Sequence, residues 1–345
     1  MTVPVPARPA KGPLTARTPP YGGEGAQDQH APGTALVLSE EIAARLERSS
    51  YLARGALAPE TQRAMAKGSA AWAAWCSARD ACSLPAQPEL VADYVDDLAA
   101  QGRKVAGIRQ AVWAIGALHR AAGYTDPTKA EAVRFALKRV SRVLTTRQRQ
   151  AAPIGADDAR MILRLAGTKP AELRDLALLL VMRDLLARRS EVVALQVEDV
   201  TFAADGSATV LIRRSKTDQA GQGEVRWLSP RAVTYLRQWL AAVALTEGAI
   251  FRAVNKAGKA GEALAASEVS RILKRLAERA GLDPAAISGH SCRVGMAQDL
   301  VASGAELPAV MQAGRWKSPT MPARYAEGML AGRGAVARFY ERREK

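Results

Sequence analysis

The chain has 345 residues, room for about two domains, and its residues are 48% hydrophobic but only 5% aromatic, a make-up of packed helices rather than of β-sandwiches. Lysine and arginine total 49 against 34 acidic residues, a formal charge of +15, and such a charge favours a polyanion as partner, nucleic acid first. The longest apolar run, Leu176 to Met182, falls well short of the about 18 residues of a membrane span, and neither a disulfide framework nor a CxxC metal spacing can be built from Cys76, Cys82 and Cys292. Three histidines are too few for a histidine-rich site, so no metal, cofactor or membrane is expected. No secretory leader is read at the start, and the expected place is the cytoplasm, at the nucleoid.

Residues 1–35 open the chain as a tail: the first 33 hold seven prolines and five glycines with almost no apolar periodicity, too little burial to offset the entropy of ordering. Helical patterning follows over 36–145. Met65, Trp72, Trp75 and Cys76 share one face, and Leu90, Val91, Tyr94, Val95 and Leu98 the next. A third helix carries Val105, Ile108, Val112, Ile115 and Leu118 and stops near Gly123; a fourth carries Val133, Leu137, Val140 and Leu144. On the polar side of that fourth helix Arg134, Lys138 and Arg142 recur at i, i+4 and i+8, with Arg139 beside them and no acidic residue from Arg134 to Arg149. Like charges at that spacing repel, so a phosphate backbone is the better counter-charge than a merely solvated face.

Residues 146–153 read as a linker and 154–345 as a second domain. Leu173 to Leu186 is apolar enough to be a buried helix; it breaks at Ala187, Arg188 and Arg189, with Ser190 placed to cap the next helix. The period then changes: Val197 to Phe202, Ala208 to Arg213 and Glu224 to Leu228 predict three short strands. Helices resume at Pro230 to Leu245, Ser267 to Ala280, His290 to Ser303, Pro308 to Ala313 and from Gly334 to the end. The expected fold is mainly α: an N-terminal helical bundle followed by a mixed α/β domain with a small antiparallel three-stranded sheet. Ser267, Ser270, Arg271 and Lys274 lie on or near one face of their helix, the candidate for the DNA major groove.

Five places in the second domain hold polar residues a core would not request. Arg188 sits between a buried helix and the next, where its guanidinium must find an anion, either Glu191 or a bound phosphate. Lys216 stands in a Ser-Lys-Thr hairpin tip, where a charge is commonly only solvated. His290 and Arg293 share one face at the start of a helix, a position favourable to phosphate. Trp316 and Tyr325 follow. Cys292, between His290 and Arg293, is read as a buried small hydrophobe. Two arginines, a lysine, a histidine, an indole donor and a tyrosine on a basic chain suit attack of a tyrosine on a phosphodiester. Arginines grip the non-bridging oxygens and stabilise the pentavalent transition state, and no metal is required. A phenol of pKa about 10 is a poor nucleophile at neutral pH, so a cationic pocket and a neutral imidazole must help remove its proton.

The order Arg188, Lys216, His290-Ser291-Cys292-Arg293, Trp316, Tyr325 resembles the tyrosine recombinase (phage integrase) family. Gly289 to Gly295 and Met311 to Gly314 are similar to a phage-encoded member segment by segment, and Trp72 to Cys76 with Leu118-His119-Arg120 resemble its N-terminal domain, so the likeness spans about residues 40 to 340. The resemblance implies a core-binding domain and a catalytic domain clamped around duplex DNA that carries inverted-repeat sites. It also implies a homotetrameric synapse joined by the C-terminal helix, and strand exchange through a 3′-phosphotyrosine and a Holliday junction without metal or ATP. Carried over by position, Arg188 and Arg293 hold the phosphate, Glu191 supports them, Lys216 is the general acid, His290 moves a proton, Trp316 contacts the phosphate and Tyr325 attacks. The proline- and glycine-rich tail departs from the family pattern, as do Arg315, Lys317 and Pro319 ahead of the tyrosine. Alternatives on the same chemistry are dimer resolution of the Xer type and a type IB topoisomerase; a catalytically dead DNA-binding regulator is the alternative without it.

Overall fold

In the computed structural model residues 39–341 are described, apart from 145, 146, 148, 149, 166, 216, 217, 219 and 333. The tail expected at 1–35, part of the expected linker and Lys216 therefore lie outside the described residues. The chain divides into two compact units between Gln148 and Arg149.

Among its described residues the first unit holds five α-helices: α1 (Glu40–Ala56), α2 (Pro59–Ser77), α3 (Pro88–Ala100), α4 (Val105–Ala122) and α5 (Glu131–Val143). Proline opens α2 and α3, where its missing N–H is one of the unpaired helix-start donors anyway. Gly123 closes α4 at φ +84°, a left-handed cap that a side chain would strain. Trp72, Val91, Val95, Ile108, Ile115 and Val133 are fully buried between the helices, and the Trp72 indole donates to the Ser83 carbonyl at 2.9 Å. Buried His119 accepts from the Ala86 N–H at 2.9 Å through Nε2, while its Nδ1 lies 2.8 Å from the Ile115 carbonyl and so carries the proton. Burial holds its pKa below the usual imidazole value. Helix α1 was not anticipated from the sequence, and it buries none of its own residues, so it carries no apolar stripe to reveal it.

The second unit begins with α6 (Ala156–Arg164), α7 (Pro170–Asp184) and the single turn α8 (Arg189–Val192). Strands β1 (Val200–Phe202), β2 (Ala208–Ile212) and β3 (Glu224–Leu228) form an antiparallel sheet in the order β1-β2-β3, with Val200 opposite Val210 and Ala208 opposite Leu228. The expected first strand is shorter because Val197–Asp199 is a 3-10 turn. Helix α9 (Pro230–Ala242) is followed by a hairpin of β4 (Arg252–Val254) and β5 (Ala260–Ala263) that the sequence did not signal. Then come α10 (Ala266–Arg279), α11 (Ser291–Ala302), α12 (Leu307–Gly314), α13 (Thr320–Tyr325), α14 (Glu327–Gly332) and α15 (Ala335–Glu341). Helix α7 is buried through most of its length and packs on α9, whose Trp239 is fully enclosed and donates to the Ile250 carbonyl at 2.8 Å. This core holds α7, α8 and α11 in fixed relation. Among the described residues no helix is long and apolar enough to cross a membrane, and no cluster of metal-ligating side chains occurs.

Candidate active site

Where α7 ends, Leu186 takes a left-handed conformation (φ +44°) and turns the chain so that Arg188 caps α8. Ser190 was expected as that cap. The cap falls two residues earlier because the Glu191 carboxylate reaches back to the Arg188 N–H (Oε2, 2.9 Å), satisfying a donor the turn would otherwise leave open. The other oxygen, Oε1, accepts from Arg188 Nη1 at 2.6 Å. Glu191 is thus both a backbone cap and a side-chain clamp. Its Oε2 also accepts from Arg315 Nη2 at 2.6 Å, a contact the sequence did not reveal. Burial opposes ionisation of Glu191, but the Arg315 charge and the Arg188 bonds outweigh it and hold the carboxyl below its ordinary range.

Helix α11 places Arg293 fully inside this cluster, donating to the carbonyls of Leu186 and Gly314. Burial, then the Arg188 and Arg315 charges, pull its pKa down to about 10, so it stays protonated at neutral pH. Its guanidinium lies 4.5 Å from the centroid of Trp316, and Trp316 meets Tyr325 edge-on at 5.7 Å. Gly314 has to be glycine here, because a Cβ would fall within the Trp316 ring. The segment carrying Tyr325 was expected as a short polar stretch bounded by Pro322. It is instead the turn of α13 with Pro322 inside it, tolerated because an N–H in a helix's first turn has no intrahelical partner. Tyr325 is half-buried at its end, and its carbonyl accepts from Gln298 Nε2 at 2.8 Å and Gln150 Nε2 at 3.3 Å.

Five expected residues on described positions, Arg188, Glu191, Arg293, Trp316 and Tyr325, therefore converge. His290 caps α11 and is exposed; its N–H donates to Ser288 Oγ at 3.1 Å. Gly289 before it packs so closely that a Cβ would sit 3.1 Å from Ser270 Oγ, which ties α10 to the histidine turn. Lys216 lies outside the described residues, but the base of its loop is ordered by Asp218, whose carboxylate accepts from the N–H groups of Gly221 (3.0 Å), Gln222 (3.2 Å) and Gly223 (2.9 Å). Those bonds hold the Asp218 carboxyl below its usual range.

On α5, Arg134, Lys138, Arg139 and Arg142 are all exposed. Arg134 pairs with Glu131 at 2.6 Å and Arg139 with Asp96 at 2.5 Å, so part of the counter-charge comes from residues outside the basic run itself. On α10, Ser267, Arg271 and Lys274 are exposed and Ser270 half-buried, opposite the buried face of Val269, Ile272, Leu273 and Leu276. Arg271 is paired with Glu268 at 2.5 Å.

Residues 154–329 match the model of the phage integrase family. Along the sequence the chain is 32% identical over 317 residues to the integrase/recombinase XerD homolog of Selenomonas ruminantium, covering 88% of this chain and 90% of that one. It is 27% identical over 307 residues to recombinase Cre of Escherichia phage P1, covering 84% and 90%. Among solved structures it shares the fold of the XerH site-specific recombinase bound to palindromic difH substrate in a post-cleavage complex, with a TM-score of 0.63 at 17% identity over 87% of this chain and 85% of that one.

Proposed function

The chain belongs to the phage integrase family, the tyrosine recombinases of site-specific recombination, and from that premise we propose that Tyr325 is the nucleophile that cuts and rejoins its DNA. The observation that carries this reading is the pair of contact chains that start from buried residues, from Glu191 to Arg188 on one side and from Arg293 through Trp316 to Tyr325 on the other. The Tyr325 Oη attacks the scissile phosphorus, the bond to the 5′ oxygen breaks, and a 3′-phosphotyrosine remains. Arg188 and Arg293 face the charge that builds on the non-bridging oxygens, where fixed donors in a water-poor site act most strongly. To do so Arg293 exchanges at least one of its two backbone carbonyls for a phosphate oxygen. His290 accepts the phenolic proton and Lys216 delivers one to the departing 5′ oxygen. Attack on the phosphotyrosine by the 5′ hydroxyl released in the same way on a second strand reverses the chemistry, frees the Tyr325 phenol and exchanges the strands through a Holliday junction. Neither metal nor ATP enters, because the energy of the phosphodiester is conserved in the protein linkage.

The partner in this reading is duplex DNA with inverted-repeat sites, held by the α5 cations and the exposed face of α10, inside the cell that carries the element. Assembly as a homotetramer on two paired sites falls to α15, whose Val336, Phe339 and Tyr340 are exposed by 72%, 49% and 58%. The converged site favours an enzyme over a catalytically dead regulator. Incubation with a duplex that the full-length chain has selected from a random library tests the proposal: native protein and Tyr340→Phe form a denaturation-resistant adduct, and Tyr325→Phe binds equally but forms none. A phosphotyrosine mapped by mass spectrometry to Tyr340 and not Tyr325 refutes it.

A further inference from the structure

Arg315 closes α12 in the left-handed conformation, φ +56° and ψ 45°, a place where any side chain strains the backbone and glycine is the relaxed choice. An arginine stands there, and its side chain is 2% exposed. Nη2 bonds Glu191, itself 3% exposed, while Nε and Nη1 are buried with no hydrogen-bond partner among the described residues. Nε is also 4.0 Å from Glu224, which pairs with Arg226 at 2.6 Å, and Arg226 Nε is likewise buried and unpartnered. The cluster therefore holds four guanidiniums (Arg188, Arg226, Arg293, Arg315) against two carboxylates (Glu191, Glu224). Open donors and surplus positive charge in a buried site are destabilising unless an anion completes them. A phosphodiester brings one negative charge and its pentavalent transition state a second.

We propose that Arg315 is a positioning residue of the recombination site: it fixes the Glu191 carboxylate that aims Arg188, and it adds a third guanidinium to the field on the scissile phosphate. This rests on the reading of the site given above. Glu191 clamps Arg188 only while both its oxygens are oriented; Oε2 is held by the Arg188 N–H from within the turn and by Arg315, 124 residues along the chain, which is the one charged donor on it among the described residues. Without it, Oε2 keeps only the backbone N–H, and Arg188 is left as the one guanidinium bonded to the carboxylate, which neutralises it more fully. The surplus charge serves the transition state more than the bound duplex, since the duplex is gripped along many phosphates and the reacting one gains charge only as it is attacked.

The test uses the full-length chain and the duplex it selects from a random library, with binding and adduct formation measured separately. Arg315→Gly, which also relieves the left-handed strain, is expected to bind within about threefold of native yet form adduct about 10- to 100-fold more slowly. Millimolar guanidinium, far below denaturing levels, should restore part of the rate by refilling the vacated position, and Arg315→Lys should fall between. In a Glu191→Gln background the further loss from Arg315→Gly should shrink, as expected of two residues acting in series. Cleavage at the native rate by a folded Arg315→Gly overturns the inference. So does a rate that falls only in step with binding or melting temperature, with neither guanidinium recovery nor coupling to Glu191. If Arg315→Gly does not fold, the Arg315→Lys rate and its coupling to Glu191 decide in the same way. Adduct formation by Tyr325→Phe would instead refute the site itself, so the two failures are distinguishable.

Discussion

Replacing Arg134, Lys138 and Arg142 together by glutamine tests whether α5 tracks phosphates, and its effect can be sized in advance. All three side chains are exposed, and Glutamine is nearly as good a helix former as the residues it replaces. The Arg134–Glu131 pair that is lost is about two-thirds exposed on both sides and contributes at most about 1 kcal/mol. Its loss is offset by relief of the like-charge neighbours Arg134–Lys138 and Lys138–Arg142, each costing about 0.2–0.5 kcal/mol. The fold is therefore expected to keep its melting temperature. Binding is not spared: each phosphate contact removed lowers the slope of log affinity against log salt by about 0.9 on duplex DNA, so three contacts lower it by about 2.7. Between 50 and 200 mM salt the native chain should then lose about 40-fold more affinity than the variant. Fluorescence anisotropy with a labelled duplex over a salt series reads this directly, and the weakening should be the same for selected and unrelated sequences. An unchanged slope in the triple variant would refute the assignment of α5 to the DNA backbone.

Acid should loosen the first unit through His119. Its folded pKa is held below the ordinary value near 6.5, so stability is complete above that pH, falls as the unfolded chain takes up the proton first, and levels off once pH passes the depressed folded value. Melting followed by tryptophan fluorescence should show that decline, and His119→Gln should flatten it. The thiols should differ sharply: burial pushes Cys76 and Cys292 up to about 12, while Cys82 is exposed, so iodoacetamide at pH 8 should label Cys82 alone in the folded chain and all three after denaturation. Rapid labelling of Cys292 in native protein would contradict the packing of α11. Truncation after Gly334 removes the exposed stripe of α15 and should leave cleavage of a single site while abolishing cooperative assembly on two, as read by gel shift; full assembly by the truncated chain would count against a role for α15 between protomers.

Local chemistry carried much of this protein. The faces of α3, α4 and α5 were legible because each repeats its apolar residues at helical spacing, and Val91, Tyr94, Val95 and Leu98 are buried as that spacing requires. Strand β3 was legible end to end, since Glu224 to Leu228 stands between a glycine-rich loop and a serine-proline helix start. The order of Arg188, Lys216, His290-Ser291-Cys292-Arg293, Trp316 and Tyr325 was enough to carry the resemblance to the family, because the chemistry of phosphoryl transfer leaves little choice of residue type. What periodicity could not reach was whatever depends on partners far along the chain. Helix α1 has no buried stripe, and β5, Ala-Gly-Glu-Ala, has no β-forming composition; pairing with β4 makes it a strand. The cap of α8 moved from Ser190 to Arg188 because a carboxylate that also meets Arg315 closes the turn. Arg315 itself reads in the sequence as one more basic residue on a basic chain. Only the fold, by bringing the residue that closes α12 to Glu191 on α8, buries its charge against that carboxylate, because a contact between residues 191 and 315 is set by packing and leaves no trace in either local segment.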